Sequence, residues 1–346
     1  MRVQIATILL GATMIPIASL PATAQISDDT VVDLLAVQSP CGEPDRYRGK
    51  KDQLYIERDD GSILLADAYR LQALGTARSN GKLLAASCNR RFVATADSQQ
   101  LHLLSTKNDR QPMTVLLPAD AVGAVFTKNS RQLWVGLSGR NEVVDIDLNT
   151  GQLRTIPLPF AAARLSADFK GHNLYILDQK AGGLHVIDER SGRILSGELP
   201  KFGIGADLMR SPTDNELWIV RSDRPQISIV RTKPPFAVIK AIDLPATARS
   251  IQFVRRGHRN IALVSLPAAN SIAAIDADKF FFIGNIDVHG SPASISASGD
   301  GERSFVSLSD KSMVEVVDVD SLSLFGSIDT GLPASKLIHV AGAGGR

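Results

Sequence analysis

Leu174-Tyr175-Ile176-Leu177-Asp178, followed a few residues later by Leu184-His185-Val186-Ile187-Asp188, holds the pattern that decides the fold. Lys170-Gly171-His172-Asn173 ahead of it reads as a tight turn, since Gly and Asn accept backbone conformations that other residues avoid. Leu165 opens an earlier strand ending near Asp168, and Glu189-Arg190-Ser191-Gly192 turns into a further strand over Arg193–Leu199. Ala163–Leu199 is therefore expected to be four short antiparallel strands.

The same grammar recurs along the chain. Apolar second strands begin at Leu54, Phe92, Leu133, Leu174, Leu217, Ile261 and Phe305, in steps of 38, 41, 41, 43, 44 and 44 residues. One four-stranded propeller blade needs roughly 40 to 45 residues. The two ends complement each other. Leu54–Glu57, Ile63–Asp67 and Arg70–Thr76 supply a second, third and fourth strand without a first, whereas Ser335–Ala341 is a first strand with nothing after it. Pairing them completes a seventh blade and leaves no open sheet edge. The expectation is an all-β, seven-bladed β-propeller over 54–341, preceded by an irregular segment over 25–53 and followed by a short tail over 342–346.

Leu174–Asp178 with Leu184–Asp188, and Pro292-Ala293-Ser294-Ile295 with Gly299-Asp300-Gly301, resemble repeats of the bacterial YVTN-type β-propellers. The resemblance covers 54–341, although Leu-Trp-Val-Gly and Phe-Val-Ala-Thr stand where the family has Tyr-Val-Thr-Asn. It implies a seven-bladed ring, often exported, in a superfamily shared with lactonases, amine dehydrogenase subunits and nitrite reductase. It does not imply one activity.

The first residues read as a leader. Arg2 precedes the apolar run Ile5–Leu20, and Ala22-Thr23-Ala24 is a small-x-small cleavage signal, so a signal peptide over 1–24 and a periplasmic or secreted product are expected. The run, broken by Gly11 and Pro16, is shorter than the roughly 20 residues needed to span a bilayer. Lys plus Arg total 38 against 36 Asp plus Glu, which gives no support to general nucleic-acid or membrane-surface binding. Aromatic residues make up 5% of the chain, too few for a ring-lined groove. Cys41 and Cys88, the two cysteines, suit one disulfide tying the pre-propeller segment to the first complete repeat. The alternative is a buried Cys88 and a free Cys41.

Chemistry is sparsely encoded. The sequence has no Cys-x-x-Cys-His for covalent haem, no Gly-x-Ser-x-Gly and no clustered metal-binding histidines, so neither a cofactor nor a metal is expected. Asp145–Gly151 alternates oxygen ligands like a calcium loop, but its Gly is seventh and Ile156 stands where the distal carboxylate belongs. Trp134, Tyr175, Trp218 and Tyr55 share one second-strand position and are expected to fill the wedge between blades. Arg255-Arg256-Gly257-His258-Arg259 is expected as a solvated turn at the end of the ring opposite the mouth.

Arg78, Lys82, Arg164, Asp207, Arg249 and Lys336 precede or open innermost strands. If they converge, they form a cationic channel mouth with one acid, suited to a small anionic ligand or an acidic loop of a periplasmic partner protein. The alternative is solvated charges paired with their neighbours. The expected function is thus an exported, monomeric binding module; a lactonase-like hydrolase or a non-haem dehydrogenase subunit working at the mouth is the alternative.

Overall fold

The computed structural model describes residues 52–342, apart from 108–111, 169–171, 181, 197–198, 206 and 214, together with the short strands Val37–Gln38 and Pro44–Asp45. The chain folds into seven antiparallel blades arranged as a seven-bladed β-propeller. Blades 1 to 6 start with the innermost strands Lys82–Ala86, Ala121–Phe126, Ala162–Ala167, Asp207–Arg210, Ile251–Arg256 and Pro292–Ala297. Blade 7 is made from both ends of the chain: Ala334–Val340 is innermost, followed by Gln53–Arg58, Ser62–Asp67 and Gln72–Asn80. Its register pairs Lys336 with Glu57, Ile338 with Tyr55 and Val340 with Gln53.

Closure is fastened beyond the ladder. The His339 Nε2 lies 3.2 Å from Asp52 Oδ2, and the Gly342 amide donates to Asp52 Oδ1 at 2.8 Å. His339 also stacks on Phe305 of blade 6 at 5.8 Å.

Neighbouring blades share their cores. Tyr55, Trp134, Tyr175 and Trp218 are all fully buried, each in a cluster with residues of the following blade. Trp218, for example, meets Phe253 of blade 5 edge-on at 5.3 Å.

Two turn devices repeat. Asp67, Asp147, Asp188, Asp276 and Asp318 end third strands, and each carboxylate accepts backbone N–H groups two or three residues ahead. This explains the calcium-like stretch: the Asp147 Oδ1 is committed to the amides of Asn149 (2.8 Å) and Thr150 (3.0 Å). At the opposite turn, the hydroxyls of Ser87, Thr127 and Ser298 accept the amides of Phe92, Gln132 and Arg303, fastening first strand to second.

Blade 3 departs from the expected pattern. Its regular strands are Ala162–Ala167, Asn173–Asp178 and Leu184–Asp188. Among the described residues of Arg193–Leu199 no regular fourth strand forms; the isolated bridges Ile187↔Ile194 and Gly183↔Lys201 take its place. Beside these bridges Gly182, at φ +64°, packs so tightly on Gly203 that a Cβ there would lie 2.1 Å from the Gly203 carbonyl oxygen.

Candidate functional site

Blades 2, 3, 6 and 7 each carry one extra residue near the start of the innermost strand, at Val122, Ala163, Ala293 and Ser335. Such a bulge re-aims the residue that follows it. The residues following the bulges are Gly123, Arg164, Ser294 and Lys336, and in blade 4 Asp207 stands at the same level of the ladder. The backbone repeat therefore brings Arg164 and Asp207 opposite Lys336, across the ring from blade 7.

These three residues form an electrostatic cluster at the mouth, where the chain enters its innermost strands. Arg164 Nε lies 3.9 Å from Asp207 Oδ1. Lys336 Nζ donates to the Leu84 carbonyl at 3.0 Å. Burial pushes the Asp207 carboxyl up, against the pull of Arg164 and Lys336. Burial, and then Arg164, push the Lys336 amine down, against Glu57 and Asp207. Glu57 is tied up by the Leu83 amide at 2.6 Å and the Ser335 hydroxyl at 2.9 Å. Two cations thus face two carboxylates, and the mouth is internally balanced.

The remaining expected mouth residues do not join the cluster. Arg78 sits on the outermost strand of blade 7 and lines a small crevice with Tyr55, Leu65 and Leu104, because that strand runs on to Asn80 rather than ending near Thr76. Lys82 is exposed in a neighbouring groove with Asp59, Asp97 and Asp120. Arg249 is exposed just ahead of the blade 5 strand.

Below the mouth lies a cavity of 380 Å³ walled by the innermost strands of all seven blades. Among the described residues its wall carries Arg90, Lys128, Arg210, Arg255 and Lys336 against Asp168 and Asp207. Four of those five cations belong to the turn end, where first strands pass into second strands. Arg210 lies 3.7 Å from Asp168, and Asp168 also accepts the Tyr175 hydroxyl at 2.8 Å. The Arg255 Nε is buried with no hydrogen-bond partner among the described residues. The expected solvated turn is therefore half right: Arg256 reaches outward to Asp320 at 2.8 Å and Glu302 at 3.6 Å, while Arg255 lines the cavity.

Cys88 lies in the cavity wall at the turn end and is disulfide-bonded, whereas Cys41 lies outside the described residues. Val37–Gln38 lies beside the innermost strand of blade 5.

Behind the wall, Arg154 crosses from blade 2 to blade 3. It donates to Asp145 Oδ2 at 3.0 Å and to the carbonyls of Glu189 and Arg190 at 3.1 Å. Burial, reinforced by Asp168, Asp145 and Asp188, pushes the Glu189 carboxyl up to about 7. The folded chain therefore holds this proton more tightly than the unfolded chain, so stability falls as pH rises from the ordinary glutamate range through about 7. Glu189→Gln removes that dependence. The variant is expected to gain on the order of 2 kcal/mol above the window and nothing below it, measured by urea unfolding at about pH 8 and about pH 4.

No family model matches the chain. The uncharacterized protein YncE of Salmonella typhi is 34% identical over 89 residues, 25% of this chain and 24% of that protein, and its Salmonella typhimurium counterpart matches to the same extent. The chain thus spans about a quarter of the length of the curated relatives it matches. Among solved structures, apo AztD from Citrobacter koseri superposes with a TM-score of 0.65 at 14% identity, covering 85% of this chain and 99% of that one. A functionally unknown protein from Desulfotomaculum acetoxidans gives 0.70 at 13%, covering 82% and 97%. The dihydro-heme d1 dehydrogenase NirN in complex with DHE gives 0.62 at 15%, covering 90% and 72%. At these identities the similarity is one of fold, that of the β-propeller ring.

Proposed function

We propose that this chain is an exported propeller that binds a small anionic ligand in its axial cavity, with the anionic group facing the turn end. The charge imbalance of the cavity wall carries the reading: five cations against two carboxylates among the described residues. Asp168 is engaged by Arg210 and Tyr175, and the mouth is balanced, so the excess positive charge falls to Lys128 and Arg255. A buried guanidinium Nε without a partner costs about 1–3 kcal/mol, which a charge-assisted hydrogen bond from Arg255 to the ligand would offset.

Calorimetry at low salt with inorganic phosphate, citrate and pyruvate, against neutral analogues of similar size, tests this. At least one anion should bind, more weakly as salt rises. Arg255→Ala should weaken it about tenfold or more, while Lys240→Ala, on the exposed outermost strand of blade 4, should not. Unchanged affinity in Arg255→Ala, or no preference for anions, overturns the cavity reading. For export, the periplasmic fraction should yield a mature chain starting at Gln25; a chain retaining Met1 in the cytoplasm overturns that part.

A further inference from the structure

Lys336 is placed in an unusual position for a lysine. The bulge at Ser335 turns it from the closing strand into the axial cavity, where Nζ makes a hydrogen bond to the Leu84 carbonyl. The Arg164 guanidinium and the Asp207 carboxylate, 3.9 Å apart on the two blades across the ring, act on its charge. A lysine acts as a nucleophile when it is desolvated or lies beside another cation, because either condition favours the neutral amine. Lys336 meets both.

We propose that Lys336 captures small α-oxo acids covalently, its amine forming an imine with the ligand's carbonyl while Arg164 receives the carboxylate and Asp207 carries protons between nitrogen and oxygen. The Nζ lone pair bonds to the carbonyl carbon, and the carbon–oxygen π pair moves to oxygen. One proton passes from nitrogen through Asp207 to that oxygen. Loss of the hydroxyl with the second nitrogen proton releases water and leaves the imine, with no oxidant or reductant involved.

The neighbours fit these roles. Asp207, whose carboxyl burial pushes up, is suited to take a proton from nitrogen and pass it on to oxygen. Glu57 is fixed by the Leu83 amide and the Ser335 hydroxyl, and so holds the strand in place instead of shuttling protons. Arg164 Nη1 makes only long contacts, 3.3 Å each, to the carbonyls of Val122 and Ala163, and its side chain is half exposed to the mouth. A carboxylate can displace those contacts with stronger, charge-assisted ones.

The proposal rests on the same axial cavity as an anion site but seats the carboxylate at Arg164, at the mouth end, and the test separates the two. The full mature chain is incubated with pyruvate or glyoxylate, reduced with sodium borohydride, and analysed by intact mass and peptide mapping, with pyruvate binding measured in parallel by calorimetry without reductant. One adduct is expected, on the peptide containing Lys336, under conditions that leave the exposed Lys240 unlabelled. Lys336→Arg should abolish it, and Asp207→Asn should slow its formation about a hundredfold. Mapping on the wild-type chain locates the adduct independently of whether either variant folds. Pyruvate bound without an adduct overturns the imine and leaves the anion site standing. Label spread evenly over exposed lysines overturns it too. If no anion of the calorimetric panel binds and no adduct forms, both fall.

Discussion

A chain ended after Thr330 is expected to lose its cooperative unfolding transition. The truncation removes Ala334–Val340, the innermost strand of blade 7, and exposes the edge of Gln53–Arg58. Ala334, Leu337 and Val340 leave the buried core, and the Asp52 carboxylate loses both His339 and the Gly342 amide. Burying each larger apolar side chain contributes about 1.5–3 kcal/mol. With the ladder and the Asp52 contacts added, the loss approaches the roughly 5–15 kcal/mol that holds a typical domain together. Calorimetry should show no sharp heat-absorption peak, and a peptide spanning residues 331–342, added in trans, should restore part of it. Leu337→Ala, which keeps the ladder, should cost about 2–5 kcal/mol and remain cooperative. A truncated chain unfolding at the wild-type midpoint would show that the ring does not depend on this closure.

That closure could be read from the sequence because it depends on counting strands and on which strand is missing, both set by apolar runs and turn residues. The wedge-filling aromatics could be read for the same reason, since a residue's place in a repeat predicts its burial. The mouth was only partly legible. Arg164, Asp207 and Lys336 do meet, but what brings Arg164 and Lys336 to the level of Asp207 is a bulge of one extra residue in the innermost strands of blades 3 and 7, and a shift of one residue changes which face a side chain takes. No residue type marks those bulges: Val122, Ala163, Ala293 and Ser335 share only their small or modest size. Arg78 was misplaced because its strand continues past the expected turn. The turn-end cations were harder still. Arg90 and Lys128 lie in turns of different blades, and only ring geometry makes them neighbours of Arg255. Arg255 and Arg256 are adjacent in the same strand, so alternation sends one to the cavity and the other to Asp320.

Gly301→Ala is expected to damage both the fold and the cavity, and a second glycine separates the reasons. Gly301 occupies the turn between the first and second strands of blade 6 at φ +68°, where its amide donates to the Ser298 carbonyl at 3.1 Å. An alanine in this left-handed region costs about 1–2 kcal/mol. The added Cβ would also lie 2.1 Å from the Arg255 carbonyl oxygen, a backbone atom that cannot swing aside as a side-chain end would. The strand carrying Arg255 must shift, so the total loss should reach about 3 kcal/mol or more, and anion affinity should fall about tenfold as the guanidinium is displaced. Gly331 has a similar φ of +71° but nothing within 4 Å of an added Cβ. Gly331→Ala should therefore cost only the conformational part, about 1 kcal/mol, with affinity unchanged. Urea unfolding and calorimetric titration of both variants check this. Equal stability losses would remove the backbone contact from the account, and wild-type anion affinity in a destabilised Gly301→Ala would separate Arg255 from the ligand.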